Sequence, residues 1–170
     1  GDRVYFSETL IIFTSNLGIY KTDETGHRVA NVRPEDTYDG MRDKMLTEIR
    51  DHFKLVLNRP EILNRIGENI IVFDFVRQDV GEQIFAQMLA SILDDLKAKG
   101  YAVTLDEAAQ AHLKAECLRD LSNGGRGIRN QLETLLINPL ARQLFDDDVQ
   151  PGEPFLLSYS SEAGRLARSR

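Results

Sequence analysis

Few side chains in this sequence have the types and spacing that catalysis or metal binding requires. The three histidines, His27, His52 and His112, lack the spacing of a metal-ligand set, so no metal site is predicted. The single cysteine, Cys117, lies off the helical face of His112 and is interpreted as a core thiol rather than a nucleophile. The aspartates at 146–148 are interpreted as a solvated helix end rather than a cation site.

The phosphate-binding loops found in many nucleotide enzymes are absent from this sequence. No G-x-x-x-x-G-K-[ST] loop occurs. The run Gly124-Gly125-Arg126-Gly127 lacks the spacing of a dinucleotide fingerprint, and it follows a predicted helix rather than a strand. Asp74 ends an apolar run as a magnesium-binding strand would, but no phosphate-binding loop accompanies it.

Three separate segments contain polar residues and arginines in a recognisable order. They are LIIFTSNLG at 10–18, RPEILNRI at 59–66, and GGRGIRN at 124–130, which is followed by NPLA at 138–141. In order and spacing, the set resembles the C-terminal part of a Clp-type AAA+ ATPase module. Such modules occur in ring-forming protein unfoldases and disaggregases. The resemblance covers roughly residues 1–159.

The resemblance implies a role for one residue in each segment. Asn16 matches the sensor-one position, where an amide that both donates and accepts hydrogen bonds orients the attacking water. Arg65 matches the arginine finger, whose guanidinium stabilises the charge of phosphoryl transfer at the neighbouring subunit's nucleotide. Arg126 matches the sensor-two arginine, which contacts phosphates bound by its own subunit. Arg59 aligns beside the finger segment without an assigned role.

Taken singly, the same residues have ordinary structural interpretations. Asn16 is then a turn residue, Arg65 a surface arginine and Arg126 a residue at a helix start. The sequence also departs from the family pattern, because Gly67 stands where an aspartate is usual and Gly125 where an alanine is usual. These departures suggest a divergent or specialised member.

The resemblance also implies a larger parent protein. In the family, the P-loop lysine, the magnesium-binding acidic pair and the pore loop all precede the first segment. The implied parent uses ATP and Mg²⁺, forms a homo-hexameric ring of neighbouring subunits and acts on protein substrates; a partner protease is left open. This chain alone is expected to bind no cofactor and to be inactive, because two or three arginines cannot replace a phosphate cradle.

Hydrophobic periodicity predicts the elements that position these residues. Apolar runs at 9–13 and 70–73 are typical of buried strands, and residues 20–38 are interpreted as an exposed loop. Helices are predicted over about 39–56, 61–65, 79–99, 107–121 and 126–145, the last kinked at Pro139. Asp79 with Glu82, and Thr104 with Glu107, have the spacing of capping boxes. Short strands are predicted at 102–105 and 155–159.

Together these elements predict an α/β fold. Residues 1–75 are expected to be a strand-helix-strand part of an AAA+ large subdomain. Residues 76–159 are expected to be the mainly helical small subdomain with short strands, and 160–170 a disordered basic tail that holds Arg165, Arg168 and Arg170. The length of 170 residues suits one domain or two small ones.

Composition narrows the class of protein. With 42% hydrophobic and 28% charged residues, the chain is ordinary for a globular protein. A net charge of −6 argues against a general nucleic-acid binder. No apolar run is long enough to span a bilayer, so no membrane partner is expected. One cysteine cannot form an internal disulfide, which favours a cytoplasmic location.

Three functional hypotheses follow. The first is the C-terminal part of a Clp-type ATPase that supplies sensor residues, an arginine finger and a ring interface. The second is a non-enzymatic assembly or partner-binding module on the same scaffold. The third is an unrelated helical domain that binds a partner. Asn16, Arg65 and Arg126 favour the first hypothesis, because a pure scaffold has no need for all three.

Overall fold

The computed structural model describes residues 7–161 and 163–169, which divide into two units, one extending to Asp74 and one beginning at Phe75. The first unit contains β1 (Tyr20–Thr22), β2 (Arg28–Ala30), α1 (Tyr38–Asp51) and α2 (Pro60–Ile66). The second contains α3 (Gln78–Ala98), β3 (Ala102–Leu105), α4 (Glu107–Leu118), α5 (Gly124–Leu132), α6 (Asn138–Asp146), β4 (Pro154–Ser160) and β5 (Arg165–Arg168). Two π-helical segments, His52–Val56 and Glu133–Ile137, continue α1 and α5.

In the first unit, β1 and β2 form a small antiparallel hairpin within the segment predicted as an exposed loop. The Asp23 carboxylate shapes its turn. Asp23 Oδ1 accepts hydrogen bonds from the backbone N–H groups of Thr25 and His27, each at 2.9 Å. The Thr25 hydroxyl donates to the same oxygen, and these donors together lower the pKa of Asp23. The prediction missed the hairpin because short-range polar pairing, not apolar periodicity, forms it.

Both helices predicted in the first unit are confirmed. α1 begins after Thr37, whose hydroxyl accepts a hydrogen bond from the Gly40 N–H at 3.3 Å. The π-helical turn then extends the helix to Val56. α2 has Pro60 in its first turn, where a missing N–H leaves no hydrogen bond unmade.

The two strands predicted in the first unit are not formed. Residues 9–13 and 70–73 adopt no regular secondary structure, and no β-ladder pairs them in the described part of the chain. Their apolar side chains are largely exposed, with Phe13 at 89% and Phe73 at 82% of full accessibility. A strand is stabilised by the strand beside it, so an apolar run without a ladder partner does not become one.

α3 confirms the long helix predicted from Asp79, but its start differs from the prediction. The helix begins after Arg77 with no side-chain cap, so Asp79 and Glu82 do not form the predicted capping box. Its end is as predicted, because Gly100 adopts a left-handed φ of 89° and donates its N–H to the Lys97 carbonyl at 2.9 Å.

The start of α4 also corrects the sequence prediction, since its N-cap is Asp106 rather than Thr104. Asp106 Oδ1 accepts the Ala109 N–H at 2.7 Å, and Oδ2 accepts the Ser158 hydroxyl from β4. Donation from Ser158, followed by the backbone bond from Ala109, lowers the pKa of Asp106. One carboxylate therefore caps a helix and joins it to the sheet.

The sheet of the second unit has the order β3-β4-β5, with β3 parallel and β5 antiparallel to β4. β5 corrects the prediction of a disordered tail at 160–170, while Arg170 lies outside the described residues. Leu166 explains the difference: it is 2% exposed and inserts one apolar side chain into the core while β4 pairs the backbone. One leucine among small and basic residues is too weak a pattern to predict a strand.

The helices and sheet of this unit enclose one hydrophobic core. The most deeply buried side chains include residues of α4, α5, the second π-helical segment and β4: Leu113, Cys117, Ile128, Leu132, Leu136, Phe155 and Leu157. α5, the second π-helical segment and α6 run on without a break, which confirms the helix predicted over about 126–145. The wider π turn lies directly before Pro139, where a proline removes one backbone donor and crowds the preceding turn.

Across the described residues, no helix combines the length and apolarity that crossing a membrane requires.

Candidate functional site

Arg126 lies in the first turn of α5, and its side chain is exposed. A cation at this end opposes the helix dipole, which favours negative charge at the N-terminus. No acidic residue in the first turn compensates for it. The guanidinium makes no hydrogen bond or ion pair with the part of the chain that the structure describes. Helix stability therefore does not account for an arginine here.

The backbone around Arg126 also leaves donors available. Gly124 begins α5 with a left-handed φ of 53° and donates its N–H to the Leu121 carbonyl at 2.8 Å. The N–H groups of Gly125 and Arg126 have no hydrogen-bond partner among residues 7–161 and 163–169, and Asn123 provides no side-chain cap. Such N–H groups at helix starts commonly bind phosphate. One guanidinium and two backbone donors are thus available to an anion.

Arg65 occupies the last turn of α2 in the first unit and is exposed. A cation in a last turn is favoured by the helix dipole, so its position there is compatible with a plain surface role. Unlike Arg59, which forms an ion pair with Glu61 at 3.3 Å, Arg65 has no ion-pair partner within the described ranges. The Arg65 guanidinium is therefore available to a group outside this chain.

Asn16 lies in a turn that is held against α1. Its carbonyl accepts the Ile19 N–H at 3.4 Å, and its exposed side chain makes no hydrogen bond within the described part of the chain. Gly18, with a left-handed φ of 92°, contacts α1 so closely that a Cβ there would lie 3.0 Å from the Met45 carbonyl oxygen. The turn is thus tightly anchored while the Asn16 amide remains available.

Asn31 also holds this turn, and the sequence analysis did not predict its role. Asn31 Nδ2 donates to the Gly18 carbonyl at 2.9 Å and to the Lys44 carbonyl at 3.2 Å, so it ties the turn to α1. A polar residue directly after β2 is ordinary in sequence, and only its two distant carbonyl partners distinguish it. Asn31 therefore positions the turn that contains Asn16.

The structure places the three candidate residues in two units. Asn16 and Arg65 both belong to the first unit, where no hydrogen bond, ion pair or ring contact within the described residues joins them. Arg126 belongs to the second unit. Each of the three is exposed and has side-chain donors to offer.

Cys117 is a core residue, as predicted. Its side chain is fully buried within α4, and burial together with the nearby Glu116 charge raises the pKa of the thiol to about 11. Since the thiolate is the nucleophile, both burial and the raised pKa make this group unreactive.

The accessibility of Cys117 can be tested by thiol labelling. With a disulfide reagent near pH 8, we expect the folded chain to react at least about 100-fold more slowly than the urea-unfolded chain, which exposes the same single thiol. The reaction is followed by absorbance, and the unfolded chain gives the full amplitude of one thiol. Equal rates for both forms would contradict the buried position of Cys117.

Comparison with known proteins shows what the second unit is similar to. Residues 77–156 match the family described as the C-terminal, D2-small domain, of ClpB protein. This match contains α3 to α6, β3 and the first three residues of β4, and it therefore includes Arg126.

Relatives extend the similarity to nearly the whole chain. Heat shock protein 100 of Trypanosoma brucei brucei is 26% identical over 166 residues, which is 98% of this chain and 18% of that protein. Chaperone protein ClpB of Vibrio cholerae is 30% identical over 158 residues, 93% of this chain and 17% of that protein. The negative regulator of genetic competence ClpC/MecB of Bacillus subtilis is 29% identical over 158 residues, 92% of this chain and 19% of that protein.

The chain thus spans less than a fifth of the length of each of these three relatives. Its fold agrees with the family match, since a mainly helical unit carries a small mixed sheet. The family match and the relatives together show that this chain corresponds to the C-terminal part of a Clp-type AAA+ module.

Proposed function

We propose that this chain is the sensor and interface part of an ATP-driven protein unfoldase or chaperone. The observation that carries this proposal is the start of α5. There Arg126 opposes the helix dipole, beside two backbone N–H groups that have no partner within the described residues. An anion at this point would pair the guanidinium and satisfy both backbone donors. Two of the three relatives described above bear names of ClpB and ClpC proteins.

The start of α5 fits the phosphate end of a nucleotide. It offers the charge of Arg126 and backbone N–H donors, and both suit a phosphate. When bound, ATP with Mg²⁺ supplies the phosphoanhydride bond that is hydrolysed. Arg126 would hold phosphate oxygens and so make the orientation of the second unit depend on the nucleotide state.

The first unit would act on the same reaction from two positions. Asn16 would orient a water molecule through its amide, held in place by the turn packed on α1. Arg65 would reach the nucleotide of a neighbouring subunit, which agrees with its exposure and its lack of a partner in the described chain.

The proposed parent protein is a homo-hexameric ring in the cytoplasm that acts on protein substrates, and a partner protease would be optional. The neighbouring subunits of the ring are then the first partners of this chain. The name of the Vibrio cholerae relative supports a chaperone role for the parent. The second hypothesis, a non-enzymatic assembly or partner-binding module, is the alternative that the ATP experiments below distinguish.

Arg126→Ala tests the proposal in the protein encoded by the full reading frame that contains this chain. Loss of one charged phosphate contact is expected to weaken ATP binding about tenfold or more. Binding is measured by titration calorimetry and turnover by phosphate release.

Arg129→Ala is the matched control for Arg126→Ala. It removes an arginine from the same helix, but one that already pairs with Glu133 at 3.1 Å, so ATP binding is expected to change by less than about twofold. If Arg126→Ala leaves both ATP binding and turnover unchanged, the sensor-two role is wrong. A full-length wild-type protein that neither binds nor hydrolyses ATP would favour the assembly module.

A further inference from the structure

A cleft of about 1110 Å³ lies in the second unit between β5 and the helix formed by the second π-helical segment and α6. Its walls include Asn138, Arg142 and Gln143 from the helix and Arg165 and Arg168 from β5. None of these residues belongs to the candidate nucleotide site. The cleft therefore needs a separate explanation.

The outer edge of β5 runs along this cleft. β5 pairs only with β4 in the described sheet, so its other side has no strand neighbour. The Ser169 N–H donates to the Leu156 carbonyl at 2.8 Å, which fixes the alternation of the ladder. Counting back from Ser169 in this register, Ala167 faces β4, whereas the backbone groups of Leu166 and Arg168 face outward.

Gln143 shows that an outward carbonyl of β5 accepts a hydrogen bond from an amide. Its Nε2 donates to the outward Leu166 carbonyl at 3.0 Å, as a backbone N–H of an added strand would. The Gln143 Oε1 atom on the same amide is buried and has no hydrogen-bond partner in the described part of the chain. Buried acceptors are almost always paired in native proteins. Gln143 lines the cleft, so the wall of the cleft contains an acceptor that has no hydrogen-bond partner within the described residues.

The charges of the cleft select the kind of chain that fits. Three arginines and two aspartates line it, and one pair, Arg168 with Asp147 at 3.5 Å, is already formed. Arg142 and Arg165 make no ion pair or hydrogen bond within residues 7–161 and 163–169. This local excess of positive charge occurs in a chain whose net charge is −6. Carboxylates are the natural partners of two available guanidinium groups.

We propose that this cleft binds an extended acidic peptide segment of a partner protein by strand addition to β5. The backbone of the segment pairs with the outward groups of Arg168, and its carboxylates pair with Arg142 and Arg165. Backbone pairing gives affinity and alternate side chains give selectivity, as in other cases of strand addition. This inference does not depend on the proposed ATPase function, and its test requires no nucleotide.

The test uses the complete 170-residue chain and a fluorescent peptide of alternating threonine and glutamate, about ten residues long. Anisotropy is expected to give a dissociation constant on the order of 10 μM. A peptide with lysine in place of glutamate, and a glutamate peptide with alternate backbone nitrogens methylated, are each expected to bind at least about tenfold more weakly.

Variants locate the binding to this cleft. The double change Arg142→Glu with Arg165→Glu is expected to weaken binding at least about tenfold, whereas Lys97→Glu, an exposed reversal on α3, changes it less than about twofold. Arg168→Pro removes both the side chain and an outward N–H group, and it leaves the backbone hydrogen bonds to β4 in place. Arg168→Ala removes only the side chain. Arg168→Pro is therefore expected to bind at least about tenfold more weakly than Arg168→Ala.

Three results would overturn the proposal. They are no binding of the glutamate peptide, equal binding of the methylated peptide, and equally tight binding of a thymidine oligonucleotide, which would indicate a general polyanion site. If thermal unfolding shows that Arg168→Pro does not fold, the arginine reversals and the methylated peptide still decide the question, because the reversed side chains are exposed.

Discussion

Arg65→Ala in the full-length protein is expected to lower ATP turnover about 1,000-fold while nucleotide affinity stays nearly constant. The proposed finger stabilises charge that develops only as the phosphoryl group is transferred, so its loss acts on the transition state and not on ground-state binding. Arg65 is exposed and has no ion-pair partner in the described chain, so the substitution should leave the fold intact. Turnover is measured by phosphate release and affinity by calorimetry.

Arg50→Ala is the matched control for this experiment. Arg50 is also an exposed arginine in the last turn of a helix of the first unit, and we expect its loss to change turnover less than about twofold. Equal losses of affinity and turnover in Arg65→Ala would show that Arg65 binds nucleotide in the ground state, and the finger role would then be wrong. Mixed rings give a further check, since a finger acts on the neighbouring subunit.

Phe155→Ala is expected to lower the free energy of unfolding of the second unit by about 3–5 kcal/mol. Phe155, the second residue of β4, is 1% exposed, and its ring also contacts the Arg168 guanidinium, whose central carbon lies 4.9 Å from the ring centroid. Removal of the ring leaves a cavity in the core, and no new polar contact offsets the lost packing. This loss is a large part of the roughly 5–15 kcal/mol that stabilises a typical domain.

The same substitution at the surface provides the control. Phe145 is 85% exposed at the end of α6, so Phe145→Ala is expected to change the free energy of unfolding by no more than about 0.5 kcal/mol. Amide hydrogen exchange of α4 measures the opening of the second unit without a signal from the first. Similar losses for both variants would mean that β4 does not lie in the core.

The sequence predicted those elements whose apolar faces repeat over several turns. α1, α3 and the long helix that contains α5 and α6 lie where their hydrophobic stripes placed them, and Gly100 ends α3 as expected. These patterns depend only on neighbours a few residues apart. They remain visible in a sequence without any knowledge of the rest of the fold.

Elements that depend on distant partners were harder to predict. Asp106 is recognisable as a cap that joins α4 to the sheet only through Ser158, which lies 52 residues away. β5 forms because β4 lies beside it. The apolar run at 9–13 has no neighbouring strand in the described part of the chain. The β1–β2 hairpin depends on three donors to Asp23, a local polar pattern that hydrophobic periodicity does not detect.

The candidate site shows the same division. Asn16, Arg65 and Arg126 were found through the order of three segments, which fixes residue identity but not surroundings. Two other features became visible only in the structure: the Asn31 hydrogen bond to the Gly18 carbonyl, and the two N–H groups at the start of α5 that no described residue pairs. The roles of the three residues in ATP hydrolysis remain predictions until the variants are measured.

The π-helical turn at Glu133–Ile137 determines where along this helix a residue can be lost without a change in the faces of the helix. Leu132 and Leu136 lie in the core before and within this turn, and Leu140 lies there after it. Because a π turn holds one residue more than an α turn, deletion of one residue from it would restore regular α-helix and keep Leu140 and Arg142 on their present faces. Deletion of one residue from the regular helix of α5 or α6 would instead rotate all that follows by about 100°. Related sequences should therefore lack one residue within this turn more often than within the regular helix on either side of it.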